Sequence, residues 1–378
     1  MAPETHSAAP VNALDEIVRR EIQAHGTLSF SRFMELALYH PEHGYYERLA
    51  RRIGRSGDFF TSVSVGPLFG ELLGFQFAEW TRSLVDAPVQ LVEAGAHDGR
   101  LALDILNYWR EYQPTLFDGA EYWIIEPSLR RQHWQRRTLE RHHQKVRWCT
   151  ALDQLPAAGV RGVIFSNELL DAFPARRFAW NPQQRTWFEW GVRLEQGHLV
   201  WGRMDDAAEG PSGCPEPALP TSGMSSNCLD LLPDGFTTEV CPAAATWWLL
   251  AARSLRQGVL MTIDYGLSAE EFLAPERAAG TLRVYHRHRA APNPLERVGE
   301  QDLSVSVDFT ALQSAGESAG LATQGLALQA QFLTKIVARI QNTTDEFPNW
   351  SPSRRRQFHT LTHPEHLGAA FRVLWQTQ

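Results

Sequence analysis

The sequence has few cysteines, no excess of basic residues and no long hydrophobic run, and each shortage excludes a class of protein. Its 378 residues include four cysteines, too few and too scattered for a disulfide framework or a CxxC zinc pair. Lys and Arg number 36 against 43 for Asp and Glu, a formal net charge of −7, so a nucleic-acid partner is not expected. No run approaches the roughly 18 uncharged apolar residues that span a bilayer, so we expect no membrane insertion.

The first twenty residues, MAPETHSAAPVNALDEIVRR, bear on the location of the protein. They lack the basic start and apolar run of a secretory signal, and they lack the early arginines of a transit peptide. The low cysteine content fits a reducing compartment. On these grounds we predict a cytoplasmic protein.

From residue 89 onwards, short apolar runs alternate with amphipathic stretches. The stretches 100–112 and 127–143 predict helices, the second of them rich in arginine. The alternation of predicted strands and helices along the chain predicts an α/β fold, with a mostly parallel sheet that is covered on both faces. The apolar runs that predict its strands are VQLVEAG (89–95), EYWIIE (121–126), VRWC (146–149), GVIFSNE (162–168) and GVLMTIDYG (258–266).

Other segments flank or interrupt this alternation. Residues 11–40 have helical spacing, with Ser29 or Ser31 as a cap, and 67–80 predict a mostly buried helix. Aromatic and polar residues at 176–204 predict an antiparallel meander, and a loop rich in Pro, Gly and Ser follows. The last residues predict a short helix from Pro364 or Glu365. We therefore predict an N-terminal helical or lid region (1–86), a Rossmann-like core (87–175 and 236–335), an inserted β meander and loop (176–235) and a C-terminal helical tail (336–378).

The motif EAGAHDG, which begins at Glu93, lies where a strand passes into a helix. Gly95 and Gly99 remove side chains there, so that a ligand can approach the backbone. The spacing Glu-x-Gly-x-x-x-Gly resembles the first motif of class I S-adenosylmethionine methyltransferases. A nicotinamide oxidoreductase would need glycine where His97 stands. An ordinary strand-to-helix turn is the alternative interpretation.

Acidic residues follow two of the predicted strands. Glu126 could accept both ribose hydroxyls of a nucleoside, or it could cap the following helix. Asn167, Glu168 and Asp171 follow a buried strand, where polar groups are costly unless they are paired or face a ligand. A carboxylate pair is suited to orienting a guanidinium, because arginine keeps its proton. The alternative is that Asp171 caps a helix and Glu168 forms a surface ion pair.

Three further groups of residues could line the same cleft or bind a metal. The segment GDFFTS (57–62) places polar groups between glycines, and its candidate residues are Asp58, Phe59, Thr61 and Ser62. Such a segment suits a lid that contacts an anionic group of a ligand. A loop with a helix cap is the simpler interpretation. Asp264, Tyr265 and Asp308 stand at strand ends, and for Asp308 we favour a helix cap. The histidine pairs lack acidic or cysteine partners at ligand spacing, so we predict no metal site.

Segments spread in order over roughly residues 30–375 resemble the MidA-like family, methyltransferases related to the mitochondrial complex I assembly factor that methylates arginine. The resemblance implies a class I methyltransferase fold with an N-terminal helical extension and an inserted antiparallel β element. It also implies S-adenosylmethionine as cofactor and an arginine of a protein as substrate, with a respiratory-complex subunit as one candidate, and it leaves a homodimer open. The matching segments are HPEHGYY (40–46), GDFFTS (57–62), FGELLG (69–74), LVEAGAHDGRL (91–101), SNELLDAFPARRF (166–178), EVCPAAATWW (239–248), DYG (264–266), GTLRVYHRHR (280–289), DLSVSVDFTAL (302–312) and FLTKI (332–336).

The resemblance and the motifs together define a predicted site. The catalytic residues would be Glu168, Asp171 and Asn167. The walls of the cleft would be Phe59, Asp264, Tyr265 and Asp308. The predicted cofactor-binding residues are Asp58, Thr61, Ser62, Glu93, Gly95, His97, Gly99, Glu126 and Asn167.

Two residues depart from the family pattern. His97 stands where the family has glycine, and Ser306 stands where it has histidine. Both favour a second hypothesis, a catalytically weak S-adenosylmethionine-binding chaperone that holds a partner protein during assembly.

Overall fold

The structure is a computed structural model that describes residues 12–48, 61–84, 88–204, 229, 231–287, 289–341 and 347–378. The predicted lid residues Asp58 and Phe59, and most of the predicted loop at 205–235, lie outside the described residues.

The helices are given first, in chain order. They are α1 (Ala13–His25), α2 (Phe30–Tyr39), α3 (Tyr45–Arg48), α4 (Leu68–Thr81), α5 (Arg100–Tyr112), α6 (Pro114–Gly119), α7 (Leu129–Thr138), α8 (Pro242–Ser254), α9 (Ala269–Phe272), α10 (Phe309–Ser318), α11 (Gln329–Ile340) and α12 (Pro352–Thr362).

The strands follow the same numbering. They are β1 (Leu28–Ser29), β2 (Gln90–Ala94), β3 (Glu121–Ile125), β4 (Val146–Cys149), β5 (Val160–Asn167), β6 (Arg176–Asn181), β7 (Thr186–Glu195), β8 (His198–Arg203), β9 (Thr237–Val240), β10 (Leu255–Leu267), β11 (Arg283–His286), β12 (Arg289–Ala290), β13 (Asp302–Ser304), β14 (Val307–Asp308), β15 (Ala322–Leu328) and β16 (Phe371–Thr377).

One compact unit contains an eight-stranded sheet and is formed by the described parts of Ala50–Asp171, Ala243–Ala269 and Ser306–Gln378. The strand order is β15-β16-β10-β5-β2-β3-β4, with β14 beside β10. Neighbours from β10 through β4 are parallel, whereas β16 runs antiparallel to β10 and to β15. The predicted mostly parallel sheet is therefore confirmed.

Helix α4 lies in the core of this unit, as the apolar segment 67–80 predicted, and nearly all of its residues are buried. The ring of Phe77, on this helix, contacts the ring of Phe165 on β5, with ring centroids 4.9 Å apart. Gly74 lets α5 approach, because a Cβ there would lie 2.7 Å from the ring of Tyr108. Trp109 of α5 also donates a hydrogen bond to the Gly74 carbonyl, at 2.8 Å. Each large side chain that is fully buried here contributes about 1.5–3 kcal/mol to folding.

The other unit is formed by the described parts of Met1–Leu49, Ala172–Pro242 and Glu270–Val305. Its antiparallel sheet has the order β1-β7-β6-β9, with β8 beside β7. Strands β6, β7 and β8 form the meander that the sequence predicted at 176–204. Ser29 caps α2 by accepting a hydrogen bond from the Arg32 amide at 3.2 Å, which confirms one of the two predicted caps. The sequence did not predict the three-stranded sheet β12-β11-β13.

Two predictions about local structure are wrong. The last residues form strand β16 instead of a helix from Pro364 or Glu365, because the alternating side chains of FRVLWQT fill a place between two strands of the sheet. The arginine-rich helix ends at Thr138 and a short 3-10 turn, Glu140–His142, follows it.

Within the residues described above, no helix combines the length and the apolar character needed to cross a membrane.

Candidate functional site

The register of the parallel strands brings three predicted site segments to one edge of the sheet. Ala94, the last residue of β2, lies opposite Ile125 of β3 and Ser166 of β5. The next residues along these strands are Gly95, Glu126 and Asn167. The carboxyl ends of parallel strands are where α/β proteins bind ligands.

The turn between β2 and α5 requires glycine at two positions. Gly95 has a φ of 74° and Gly99 a φ of 83°, a backbone region that favours glycine. A Cβ at Gly99 would also lie 3.4 Å from the Gln135 Cα, so this glycine allows α7 to approach the turn. Gly99 then accepts the first hydrogen bond of α5, from the Leu103 amide at 3.0 Å.

His97 lies in the same turn, and it also has a positive φ, of 47°. Its imidazole is half-buried, and Nδ1 is buried without a hydrogen-bond partner among the residues that the structure describes. The pKa of His97 is lowered to about 4, mainly by burial; Asp98 opposes the shift, and Arg131 and Arg100 add to it. The ring is therefore neutral at physiological pH. A buried ring nitrogen without a partner is a place where a polar ligand would restore a hydrogen bond.

Glu126 has a buried carboxylate that is held on both oxygens. Oε1 accepts a hydrogen bond from the Ser128 amide at 2.9 Å and forms an ion pair with Arg131 at 3.0 Å. Oε2 accepts a hydrogen bond from Nε2 of Gln135 at 3.1 Å. Ser128 itself caps α7, through the Arg131 amide at 3.2 Å. The helix cap that was the alternative role for Glu126 is thus supplied by its neighbour.

Sequence reasoning missed Gln135, which joins Glu126 to the glycine turn. Besides Glu126, its Nε2 donates to the His97 carbonyl at 3.1 Å, and its Oε1 accepts a hydrogen bond from the Trp148 indole at 3.0 Å. Gln132, on the same helix, donates to the backbone carbonyl of Glu126 at 2.9 Å. A glutamine inside a polar helix carries no motif, so no signal in the sequence singled it out.

Glu93, a predicted cofactor residue, is buried inside the sheet. The hydroxyl of Tyr122 on β3 donates a hydrogen bond to its carboxyl at 2.7 Å. Burial raises the pKa of Glu93 to about 8; the bond from Tyr122 opposes this shift, and Asp98 adds to it. At neutral pH the Glu93 carboxyl is mostly protonated, and its hydrogen-bond partner is Tyr122 of the protein itself.

Glu168 follows β5 with a φ of 52°, and its carboxylate is half-buried. Oε1 accepts hydrogen bonds from the Ser62 amide at 3.3 Å and from Nδ2 of Asn167 at 3.1 Å. Oδ1 of Asn167 is buried and has no hydrogen-bond partner within the described ranges of the chain. The N-terminal polar pair and the strand-end motif, far apart in the sequence, therefore meet at Glu168.

Asp264 is fully buried on β10 and holds the segment that follows Glu168. Its Oδ2 accepts hydrogen bonds from the amides of Leu169 at 3.2 Å and Leu170 at 2.8 Å, and its Oδ1 accepts one from the Tyr265 amide at 2.8 Å. Burial raises the pKa of Asp264 well above its ordinary value, and repulsion from Asp171 and then Glu168 adds to the shift. These bonds fix the 3-10 turn that contains Asp171, which is itself buried.

The N-terminal polar pair has two different environments. Ser62 is buried, and its hydroxyl donates to Oε1 of Gln329 at 3.0 Å. Gln329 is a second residue that sequence reasoning missed, and its Nε2 donates to the Leu361 carbonyl at 3.0 Å. The Thr61 hydroxyl accepts the Ser64 amide at 3.1 Å, a local turn within the loop.

The last two predicted cleft residues have structural partners. Asp308 caps α10 by accepting a hydrogen bond from the Ala311 amide at 3.0 Å, the role that we favoured, and burial raises its pKa. The ring of Tyr265 contacts Phe371, with centroids 4.0 Å apart. Among the side chains that the structure describes, no group of three or more His, Cys, Asp or Glu is arranged to hold a metal ion.

Comparison with known proteins gives results that agree with one another. Residues 72–327 match the model of a family described as "Putative S-adenosyl-L-methionine-dependent methyltransferase". The Drosophila melanogaster mitochondrial protein arginine methyltransferase NDUFAF7 homolog is 26% identical over 409 residues, which cover 98% of this chain and 87% of that protein. The Homo sapiens NDUFAF7 is 25% identical over 396 residues, 96% and 82% of the two chains.

A solved structure extends the likeness to the whole fold. A protein from Burkholderia thailandensis, crystallised with S-adenosyl-homocysteine bound, is 29% identical and has a TM-score of 0.81. The match covers 97% of this chain and 92% of that chain.

The comparisons correct the predicted location. The curated relatives are named as mitochondrial, so the cytoplasmic prediction is wrong. Low cysteine content reports a reducing environment and does not distinguish one reducing compartment from another.

The family follows from the extent of these matches. The family model spans more than half of the chain, and the solved structure that holds S-adenosyl-homocysteine matches 97% of this chain with a TM-score of 0.81. This protein belongs to the family of S-adenosyl-L-methionine-dependent methyltransferases, MidA-like in its motifs, and has their class I α/β fold.

Proposed function

We propose that this methyltransferase acts on an arginine of a protein substrate, and that a subunit of a respiratory complex is that substrate. The observation that carries the proposal is the half-buried carboxylate of Glu168, held at the carboxyl end of β5 by Ser62 and Asn167. The names of the curated relatives, protein arginine methyltransferases, support it.

The cofactor would bind between the glycine turn and the end of β3. It would lie against the backbone of the turn from Gly95 to Gly99, and Glu126 would accept hydrogen bonds from its ribose hydroxyls. The residues present fit such a ligand, because His97 Nδ1 and Asn167 Oδ1 are buried polar atoms for which the described part of the chain supplies no partner. When bound, S-adenosylmethionine supplies a methyl group on a sulfonium, already reactive towards a nucleophile.

Glu168 would orient the guanidinium by a charge-assisted, paired hydrogen bond. Its Oε1 is fixed by two donors, so the carboxylate does not have to be ordered when the substrate arrives. The carboxyl groups of Asp171 and Glu168 both help to raise the pKa of the buried Asp264, so this region has a negative potential. A cation placed beside Glu168 and Asp171 would be attracted by that potential, which favours arginine over a neutral substrate group.

The substitution Glu168→Gln tests the proposal. We expect it to abolish methyl transfer and to leave the affinity for S-adenosyl-homocysteine within about twofold of wild type, because the amide keeps the shape and loses the charge. Transfer would be measured with tritiated S-adenosylmethionine and a mitochondrial extract as the source of protein substrates, with mass spectrometry of the labelled arginine. Glu140→Gln, an exposed glutamate on the same unit, is the matched control.

Three outcomes separate the possibilities. An unchanged rate in Glu168→Gln would remove Glu168 from the mechanism. Label on a residue other than arginine would refute the substrate class. A wild-type protein that binds S-adenosyl-homocysteine but yields no methylated product would favour the assembly chaperone, which the departures at His97 and Ser306 also favour.

A further inference from the structure

Gln135 is buried in the middle of α7, and every hydrogen-bonding group of its side chain has a partner. The indole of Trp148 can only donate, so the amide oxygen of Gln135 must face it. That fixes the amide nitrogen towards two acceptors, the Glu126 carboxylate and the His97 carbonyl, both at 3.1 Å. Trp148 therefore selects the one orientation of Gln135 in which it can serve both.

The two acceptors belong to the two parts of the proposed cofactor site. Glu126 is the residue proposed to hold the ribose, and His97 lies in the turn between Gly95 and Gly99. The terminal torsion of a glutamate is broad unless its oxygens are held. Ser128 and Arg131 act on Oε1 of Glu126, whereas Gln135 acts on Oε2. Gln135 thus sets the plane of the carboxylate and ties it to the turn at the same time.

We infer that Gln135 is a positioning residue for the cofactor ribose, acting through the carboxylate of Glu126. The inference rests on the proposed role of Glu126. It goes beyond that role, because it names the residue that fixes the direction of the carboxylate oxygens. A donor lost at Gln135 would cost affinity only for ligands that use those oxygens.

Two variants and one control test it. Gln135→Met keeps the length of the side chain and removes both donated hydrogen bonds. Gln135→Leu also removes them, so it serves if the methionine variant is unstable by urea denaturation. Gln132→Met is the matched control, a buried glutamine three residues away that binds the Glu126 backbone carbonyl instead of the carboxylate.

The readout is the dissociation constant, measured by calorimetry, for S-adenosyl-homocysteine and for its 2′-deoxy and 3′-deoxy analogues. We expect each Gln135 variant to bind S-adenosyl-homocysteine about tenfold more weakly than wild type, as for the loss of one net hydrogen bond. We expect the analogues, each of which keeps one ribose hydroxyl for Glu126, to lose affinity by a smaller factor than S-adenosyl-homocysteine does. Gln132→Met should keep the wild-type ratio between S-adenosyl-homocysteine and the analogues.

Other results overturn the inference or the proposal beneath it. If the Gln135 variants weaken all three ligands by the same factor, or weaken none, Gln135 does not act on the ribose and the inference fails alone. If wild type binds the analogues as tightly as S-adenosyl-homocysteine, and Glu126→Gln binds as wild type does, then the proposed ribose site fails, and the inference fails with it.

Discussion

Replacing Glu93 by glutamine is expected to raise the free energy of unfolding relative to wild type, by an amount that grows as the pH rises. The carboxyl is 2% exposed and accepts a hydrogen bond from the Tyr122 hydroxyl, which the amide oxygen of glutamine can also accept. The substitution therefore removes the ionisation and little else. Its effect on stability should depend on pH in a way that a packing change would not.

The pKa of Glu93 gives the sign and the size. Burial raises it from an ordinary 4.5 to about 8, so the folded protein holds this proton when the unfolded chain has lost it. Between these two pH values the unfolded chain binds fewer protons, and the free energy of unfolding falls as the pH rises. At about 1.4 kcal/mol per pH unit, wild type loses at most about 5 kcal/mol of its free energy of unfolding over this range. Glu93→Gln does not suffer this loss.

The measurement is urea denaturation of both proteins from pH 4.5 to pH 8.5. The difference in unfolding free energy should be near its minimum at pH 4.5, grow with pH and level off near pH 8. Glu140→Gln, an exposed control, should change stability by less than about 0.5 kcal/mol. Parallel pH profiles for wild type and Glu93→Gln would refute the reasoning. Calorimetry on the same variant should give wild-type affinity for S-adenosyl-homocysteine, because the side chain is committed to Tyr122.

Two further substitutions test the turn and the cap. Gly99→Ala should lower the free energy of unfolding by about 1–2 kcal/mol, because φ is 83° and the new Cβ would press on α7. The same change should weaken the binding of S-adenosyl-homocysteine, and a wild-type affinity by calorimetry would contradict this. Asp308→Ala should cost about 1 kcal/mol through the lost cap of α10 and leave that affinity unchanged, and a calorimetric melting temperature equal to that of wild type would show that the cap contributes nothing.

The parts of the fold that the sequence predicted are those with a strong local pattern. Helix α5 was predicted at its observed bounds, since its apolar residues recur at helical spacing up to a glutamine and a proline. Strand β4 was also predicted at its observed bounds. Strand β16 was mistaken for a helix because its conformation depends on β10 and β15, which lie far from it in the sequence.

The predicted segment boundaries stay a prediction, and the contacts of the chain show why they are hard to derive. Helix α1 packs on strand β7, and helix α2 packs on β6 and β7 of the same unit, although β6 begins at Arg176 and α2 ends at Tyr39. No change in composition along the sequence indicates that the N-terminal helices pack on strands that come so much later in the chain.

The candidate site divides in the same way between local and distant signals. Gly95, Glu126 and Asn167 could be predicted together, because parallel strands end at one edge of a sheet. Gln135 and Gln329 could not, because what matters about each is a distant partner, the His97 carbonyl and the Ser62 hydroxyl. Asp264 was predicted as a cleft residue, and it is the anchor of a neighbouring backbone segment.

That anchor has a consequence for how the protein is made. The amides of Leu169 and Leu170 receive their acceptor from Asp264, a residue that leaves the ribosome 94 positions after the second of them. Strand β10, which carries Asp264, is also the partner of β5 on one side. The acidic segment therefore cannot take its final form during synthesis of the first two thirds of the chain, and a nascent protein that stalls before β10 would lack the acceptor that orders the backbone after Glu168.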